Sequence, residues 1–465
     1  LAGVWKLEEF RDPLAKLAAA PETTLHFRAA AVAALVDLGG KASGDLLTQL
    51  TTPDHPLAIR LAAVTGLAEL DVKLAASAAA QVLAAPLEGV DPAPLFHAFL
   101  GRKGGADALA VALAAGALPP DNAKLGLRAL QMAGSHYEGL AKVLSTAAGV
   151  NAEPKPLAPA ELEQLMTDVI AKGDASRGEA AFRRASLGCL QCHAVGGAGG
   201  QVGPDLSGLG TSTTLDYIIE SIIEPSKAVK EGYDTVEVIT KDDDYLMGIK
   251  MRDNAQELVL RNVTSAELVI PAGHIKQRQI KPVSIMPTGL ADGLTRGELL
   301  DLCRFLHELG KPGPFANSLA PVIRRWRVLD PLPADLATMN PAQLAAALAA
   351  HERLNWMPAY SLVSGLLPLD AFVPAACQSV SLVRGEIEVT TPGRVRLILN
   401  SPRGLELLVD DKPVEARDGV ILDLSHGLHA LTFRINLAQR GQAGVHVELA
   451  EVAESLARAH VVGGQ

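Results

Sequence analysis

The chain has 465 residues, enough for about three domains. Its formal net charge of −10 argues against a nucleic-acid partner. Hydrophobic residues make up 48% of the chain and aromatics only 4%, so much of the burial is expected to be helix on helix through small side chains. No apolar run reaches the roughly 18 residues that a membrane-spanning helix needs, so no transmembrane segment is expected.

From about residue 22 to 150, alanine and leucine recur with helical periodicity between short Gly, Pro and Asp breaks. Arg28-Ala-Ala-Ala-Val-Ala-Ala-Leu35 is echoed 32 positions on by Arg60-Leu-Ala-Ala-Val-Thr-Gly-Leu67, and more faintly a further 64 on by Lys124-Leu-Gly-Leu-Arg-Ala-Leu-Gln131. Each unit reads as a helix pair that cannot bury its apolar face alone and must stack on its neighbours. The pattern resembles a HEAT-like α-solenoid; an irregular helical bundle is the other reading.

A proline-rich stretch, Asn151 to Pro159, reads as a linker into a short helix. Gly173-Asp174-Ala175-Ser176 then offers an N-cap to a helix running through Phe182 toward Cys189. Short β-branched or alternating runs follow at Tyr233 to Ile239, Met247 to Met251, Glu257 to Leu260 and Glu267 to Ile270, which predicts a small antiparallel sheet. Leu294 to Leu306 reads as a second amphipathic helix, with Thr295 and Glu298 at capping-box spacing. After Gly313 comes a Pro-rich connector. Strand patterns then recur at Val380 to Val389, Arg394 to Leu399, Leu405 to Val409, Gly419 to Leu424 and Ala430 to Ile435, as a β-sandwich requires.

The chemistry concentrates in Cys189-Leu190-Gln191-Cys192-His193. Two thiols three positions apart can add across the two vinyl groups of one porphyrin, and the histidine that follows becomes the proximal ligand of the iron. A zinc site would need a second Cys/His pair at short spacing, whereas Cys303 and Cys377 are single and far apart. Cys303 lies on the apolar side of its helical pattern and reads as a buried free thiol. A thioredoxin-like pair would open a helix after a strand; here the motif is read as ending a helix and is followed by Val195-Gly196-Gly197-Ala198-Gly199-Gly200.

A haem iron needs a sixth ligand or a vacancy, and that choice separates electron transfer from reaction chemistry. Met286, on the Pro/Gly-bounded loop Ser284 to Leu290, is the candidate, and a thioether there would raise the potential. Met247 and Met251 fall on strand-like positions and Met166 precedes the domain. His193 needs an acceptor for its other nitrogen, expected as a backbone carbonyl in the turn Gly203-Pro204-Asp205-Leu206. Lys241-Asp242-Asp243-Asp244 lacks the Gly and Glu of a calcium loop and reads as a hairpin tip. His426 and His429 read as surface hairpin histidines, with metal or sugar contact as the other reading.

The ordered set Gly178, Phe182, Cys189-x-x-Cys192-His193, Gly203-Pro204-Asp205-Leu206 and Met286-Pro287, closed by Leu302 to Leu306, resembles a class I cytochrome c. More narrowly, residues 173–310 resemble the haem-binding domain of large multidomain exported proteins of the Planctomycetes–Verrucomicrobia type, through Ile222-Ile-Glu-Pro-Ser-Lys227, Glu231-Gly-Tyr233 and Met286-Pro-Thr-Gly-Leu290. The resemblance implies one covalently bound haem c, with Cys189 and Cys192 as thioether anchors, His193 and Met286 as axial ligands, and Pro204 as the carbonyl partner of His193. Met286 stands 93 positions after His193, more than in a compact cytochrome c, and the β insertion accounts for the distance. The C-terminal strands resemble PA14-like and galactose-binding-like modules.

The expected fold class is therefore multidomain α+β. It comprises a HEAT-like helical repeat domain (1–150), a linker and short helix (151–172), an all-α cytochrome c domain (173–310) with a β insertion at about 231–283, a connector (311–377) and an antiparallel β-sandwich (378–465). The expected function is that of an extracytoplasmic electron carrier, its export signal removed, working between a sugar-type dehydrogenase partner and a downstream acceptor. Two alternatives stay open: a haem enzyme with an open distal site for peroxide or gas chemistry, and an assembly or glycan-binding scaffold with an ancillary haem.

Overall fold

The computed structural model describes residues 5–87, 90–133, 137–150, 156–184, 187–262, 265–318, 320–350, 354–369, 379–441 and 443–462. Cys377 and the first part of the expected linker, 151–155, lie outside the described residues. The chain is a mixture of helices and antiparallel sheets and divides into two compact units. The first comprises Leu1–Leu157 and Thr288–Leu299, the second Ala158–Pro287 and Leu300–Gln465.

The first unit is helical: α1 Arg11–Ala19, α2 Leu25–Leu38, α3 Gly40–Gln49, α4 Leu57–Leu70, α5 Val72–Leu83, α6 Ala93–Leu100, α7 Gly105–Ala114, α8 Pro120–Ala133 and α9 Glu138–Ala148. Helices α2, α4, α6 and α8 touch in series, and α5, α7 and α9 form a second row against them. The three sequence echoes fall on α2, α4 and α8, all in one row. The double spacing before the third is occupied by α6, whose Phe96 and Phe99 stand at the places of Val32 and Leu35 in the echo and fill the core. The leading arginine of the echo has a physical task. Arg28 Nε donates to the Ala18 carbonyl at 2.8 Å and Arg60 Nε to the Thr51 carbonyl at 3.1 Å, so each satisfies a carbonyl at the end of a preceding helix. The segment Thr288–Leu299 belongs to this unit through Arg128, which pairs with Glu298 at 2.8 Å, and Lys124, which donates to the Leu294 carbonyl. Glu298 also accepts from the Thr295 N–H while Thr295 Oγ1 accepts from the Glu298 N–H, which closes the expected capping box.

The second unit begins with α10 Pro159–Lys172, α11 Ala175–Arg183, α12 Cys189–Cys192, the two-residue strands β1 Ala194–Val195 and β2 Ala198–Gly199, α13 Leu209–Ser212 and α14 Leu215–Ile223. Five strands follow: β3 Asp234–Thr240, β4 Tyr245–Asp253, β5 Glu257–Arg261, β6 Leu268–Pro271 and β7 Ile275–Ser284, then α15 Arg296–Glu308, which belongs to this unit from Leu300 on. The sheet order is β6-β5-β4-β3-β7, all antiparallel, over a core of Val236, Val238, Leu258, Leu260 and Ile270. Four strands lie where alternation placed them. Strand β7 was not among them, because Ile275 to Ser284 is mostly polar; it is an edge strand, paired only with β3 and largely exposed.

Helix α11 is capped by Asp174, whose carboxylate accepts from the Arg177 N–H. It crosses α15 at Gly178, where an added Cβ would stand 1.9 Å from the Asp301 carbonyl oxygen and 2.7 Å from Phe305 Cβ. Arg177 grips the Asp301 carboxylate through Nε at 2.7 Å and Nη2 at 2.9 Å. Phe182, Phe305 and Phe315 stack beneath the crossing at ring separations of 5.6 and 5.4 Å.

The remainder contains β8 Arg325–Leu329, α16 Ala334–Thr338, α17 Pro341–Ala350 and β9 Trp356–Tyr360. It continues with β10 Val380–Thr391, β11 Gly393–Leu399, β12 Leu405–Val409, β13 Lys412–Val414, β14 Gly419–Leu424, β15 Gly427–Asn436, α18 Leu437–Arg440, β16 Val447–Glu451 and β17 Arg458–Val461. One sheet has the order β13-β12-β15-β10-β8-β9 with β17 also on β10; a second has β14-β11-β16. Both contribute to one apolar core around Trp326, Leu397, Phe433 and Val447. The stretch read as a connector supplies two of these strands, β8 and β9. Their short lengths and the Pro-rich surroundings hid them. His429, read as a surface hairpin residue, is instead 6% exposed. Its Nδ1 faces Asp410 Oδ2 at 2.6 Å and its Nε2 the Ser425 carbonyl at 2.9 Å, so the ring sits between two acceptors.

Replacing Gly178 by alanine is expected to cost about 1–3 kcal/mol or more of stability, since backbone rather than a flexible side chain blocks the Cβ; urea unfolding measures it. Burial opposes protonation of His429, but the Asp410 and Ser425 hydrogen bonds outweigh it and its pKa is raised. The stabilisation is then complete below the ordinary histidine value of about 6.5 and is lost as pH rises through the elevated folded value. Unfolding midpoints followed by tryptophan fluorescence should fall over that range, and His429→Gln should flatten the fall.

Candidate functional site

Helix α11 does not run into the motif as expected. It stops at Arg183, Arg184 turns extended, and Cys189–Cys192 forms its own helical turn after Gly188. On one turn, positions i and i+3 lie on the same side, so both thiols share a face. Both are half-buried. Burial pushes the Cys189 thiol up to about 11 and raises that of Cys192. Reactive redox or zinc-ligating thiols show the opposite shift, toward the thiolate.

The chain after the motif folds back onto it. The His193 N–H donates to the Cys189 carbonyl at 2.9 Å, the Gly200 N–H to Leu190 at 2.7 Å and the Gly203 N–H to Cys192 at 2.7 Å. The turn 203–206 thereby lies against the imidazole, and His193 Nδ1 donates to the Pro204 carbonyl at 2.8 Å. Gly203 leaves room for the ring: a Cβ there would lie 2.4 Å from His193 Cε1. Burial lowers the His193 pKa, partly opposed by the Pro204 hydrogen bond and the Asp205 charge, so the ring is neutral at pH 7. With its proton on Nδ1, the Nε2 lone pair is the ligating one. Two thiols on one face and a neutral imidazole with Nε2 as donor are the donor set that covalent haem attachment asks for.

Met286 follows β7, half-buried, its N–H accepted by Ser284 Oγ at 3.1 Å. Cys303 is fully buried and its pKa is raised by burial to about 12, as an inert core thiol. Among the described residues, no three His, Cys, Asp or Glu side chains are placed to hold a metal ion by themselves, Cys189, Cys192 and His193 included. The acidic hairpin tip is paired off, Asp242 with His274 at 2.7 Å and Asp243 with Lys276. No helix among the described residues is long and apolar enough to cross a membrane.

Sequence reasoning missed the residues that tie the site to the C-terminal sheets. Arg325, at the start of β8, donates to the carbonyls of Gly197 at 3.0 Å and Gly199 at 2.8 Å. On α11, the buried Glu179 accepts from Arg183 and from the Val363 N–H at 2.7 Å, and Arg183 reaches the Tyr360 and Ser361 carbonyls. The only local signal was the i, i+4 spacing of Glu179 and Arg183, which is ordinary for a surface pair. No protein-family model matches the chain, and no curated protein is significantly similar to it.

Gly203→Ala should push the His193 ring off the Pro204 carbonyl and destabilise the second unit by about 1–3 kcal/mol. The His193 Nδ1–H proton resonance, shifted and exchanging faster with water, would report the displacement.

Proposed function

We propose that the chain is an extracytoplasmic mono-haem c-type cytochrome that passes electrons between partner proteins. The reading rests on one observation above all: within Cys189-x-x-Cys192-His193, the histidine ring is held through Nδ1 by the Pro204 carbonyl at 2.8 Å, and its burial favours the neutral form. Cys189 and Cys192 would carry the thioether bonds, His193 would be the proximal ligand and Met286 the distal one. Haem bound there supplies reversible one-electron exchange at iron.

The chain's own residues supply the rest. Pro204 sets the tautomer and orientation of His193. The packed crossing of α11 and α15 at Gly178 supports the motif from behind, and the loop glycines keep the backbone close to the ring. On this reading the first unit is a HEAT-like solenoid, the insertion-bearing helical part a cytochrome c domain and the C-terminal sheets a β-sandwich. The two flanking parts would present the haem to a dehydrogenase and an acceptor. Covalent haem attachment to this motif takes place outside the cytoplasm, which sets the proposed location.

Coexpression with a haem-attachment system tests the proposal. The chain should retain haem after acid–acetone extraction, and its reduced spectrum should be that of low-spin haem c. The oxidised form should show the far-red methionine–iron band. Met286→Ala should abolish that band, give high-spin iron and lower the potential. Retention of the low-spin spectrum in Met286→Ala would remove Met286 from the assignment, and loss of all haem on extraction would remove the cytochrome reading itself.

A further inference from the structure

A cavity of about 260 Å3 lies behind the motif loop, with Ala194, Gly197, Gly203 and Asp205 on one wall and Arg261 and Arg325 on others. Three separate segments meet there: the loop after His193, strand β5 of the insertion and strand β8 of the C-terminal sheets. Each arginine is held by carbonyls rather than by an acid. Arg325 spends Nε and Nη2 on Gly197 and Gly199; Arg261 donates from Nη1 to Gln201 and from Nε to Ala266, both at 3.2 Å. Neither has a carboxylate partner among the described residues, which they share with the carbonyl-held Arg324 and Arg440 of the same unit. The one acid on the lining, Asp205, already accepts from the Ser207 N–H at 2.7 Å.

Two guanidinium groups anchored by carbonyls line one cavity with donors to spare, and a guanidinium's remaining N–H groups suit an oxyanion. We infer that this cavity binds a small oxyanion, a carboxylate or phosphate, between Arg261 and Arg325. Gly203 separates the cavity from the His193 ring, so the bound charge would lie next to the ligating imidazole. The inference does not require the haem reading. A carboxylate could come from solution or from a haem side chain, and the test separates the two.

The full chain as purified is titrated calorimetrically with inorganic phosphate and with succinate, and resonance Raman spectra are recorded on any haem it carries. Saturable binding that weakens about tenfold or more in Arg261→Gln and in Arg325→Gln supports a free oxyanion. No binding, but a haem propionate bending mode that shifts in both variants, supports occupation by the haem's own carboxylates. Arg261→Lys and Arg325→Lys, which keep the charge but lose the fork, should show smaller effects and guard against misfolding of the glutamine variants. Absence of saturable binding together with an unmoved propionate mode overturns the inference, as does binding that both glutamine variants leave unchanged. If the chain carries no haem, calorimetry alone decides: saturable binding that both glutamine variants weaken supports the site, and its absence, or binding they leave unchanged, overturns it.

Discussion

The 2.8 Å hydrogen bond from His193 to the Pro204 carbonyl is the interaction around which the second unit is arranged. It can form only if residues 194–206 return to the motif, and they do so through backbone bonds from Gly200 and Gly203 to Leu190 and Cys192. A loop that spends its amides this way has carbonyls left over. Those of Gly197, Gly199 and Gln201 are taken by Arg325 and Arg261, from two other parts of the chain. The motif loop is thus the piece that the helices, the inserted sheet and the C-terminal sheets hold in common. A side chain larger than hydrogen at Gly203 would strike the imidazole itself.

Rigidity behind the motif has a second source in the crossing of α11 with α15. Gly178 allows the two backbones to touch, Arg177 and Asp301 close one end, and the three phenylalanines fill the other. Next to Gly178 and one turn beyond it, Glu179 and Arg183 leave the helix surface for the interior and bond to backbone at Tyr360, Ser361 and Val363. A buried ion pair of this kind adds little net stability beside an apolar substitute, but losing one member strands the other charge. Its effect is to specify how α11 meets β9. On the proposed role as an electron carrier, such specification would hold the motif in a constant setting.

Much of the local structure could be read from the order of residues. Short β-branched or alternating runs located β3 to β6, β10, β11, β12, β14 and β15, most plainly in β11 and β14, where every second residue faces a core. The Arg28 and Arg60 echoes located α2 and α4 in equivalent settings. Strands β7, β8 and β9 were not legible: β7 is polar on an edge, and β8 and β9 are five residues each among prolines. His429 looked like a turn residue because only its distant partner Asp410, brought alongside by pairing of β12 with β15, makes it a buried one.

The sequence by itself determined which groups the candidate site has: two thiols at i and i+3, a histidine next to them, a Gly-Pro turn able to turn a carbonyl back, and a methionine on a later loop. These follow from spacing along one or two local elements, where a few residues dictate which side chains share a face. Only the tertiary structure decided that Pro204 is within hydrogen-bond reach, that Arg325 rather than a nearer residue holds the loop, and that Arg261 and Arg325 line one cavity. Those pairings join residues from about 10 to well over 100 positions apart. Side-chain periodicity carries no record of such distances, because which element lies against which is set by the packing of whole faces and not by any single stretch of chain.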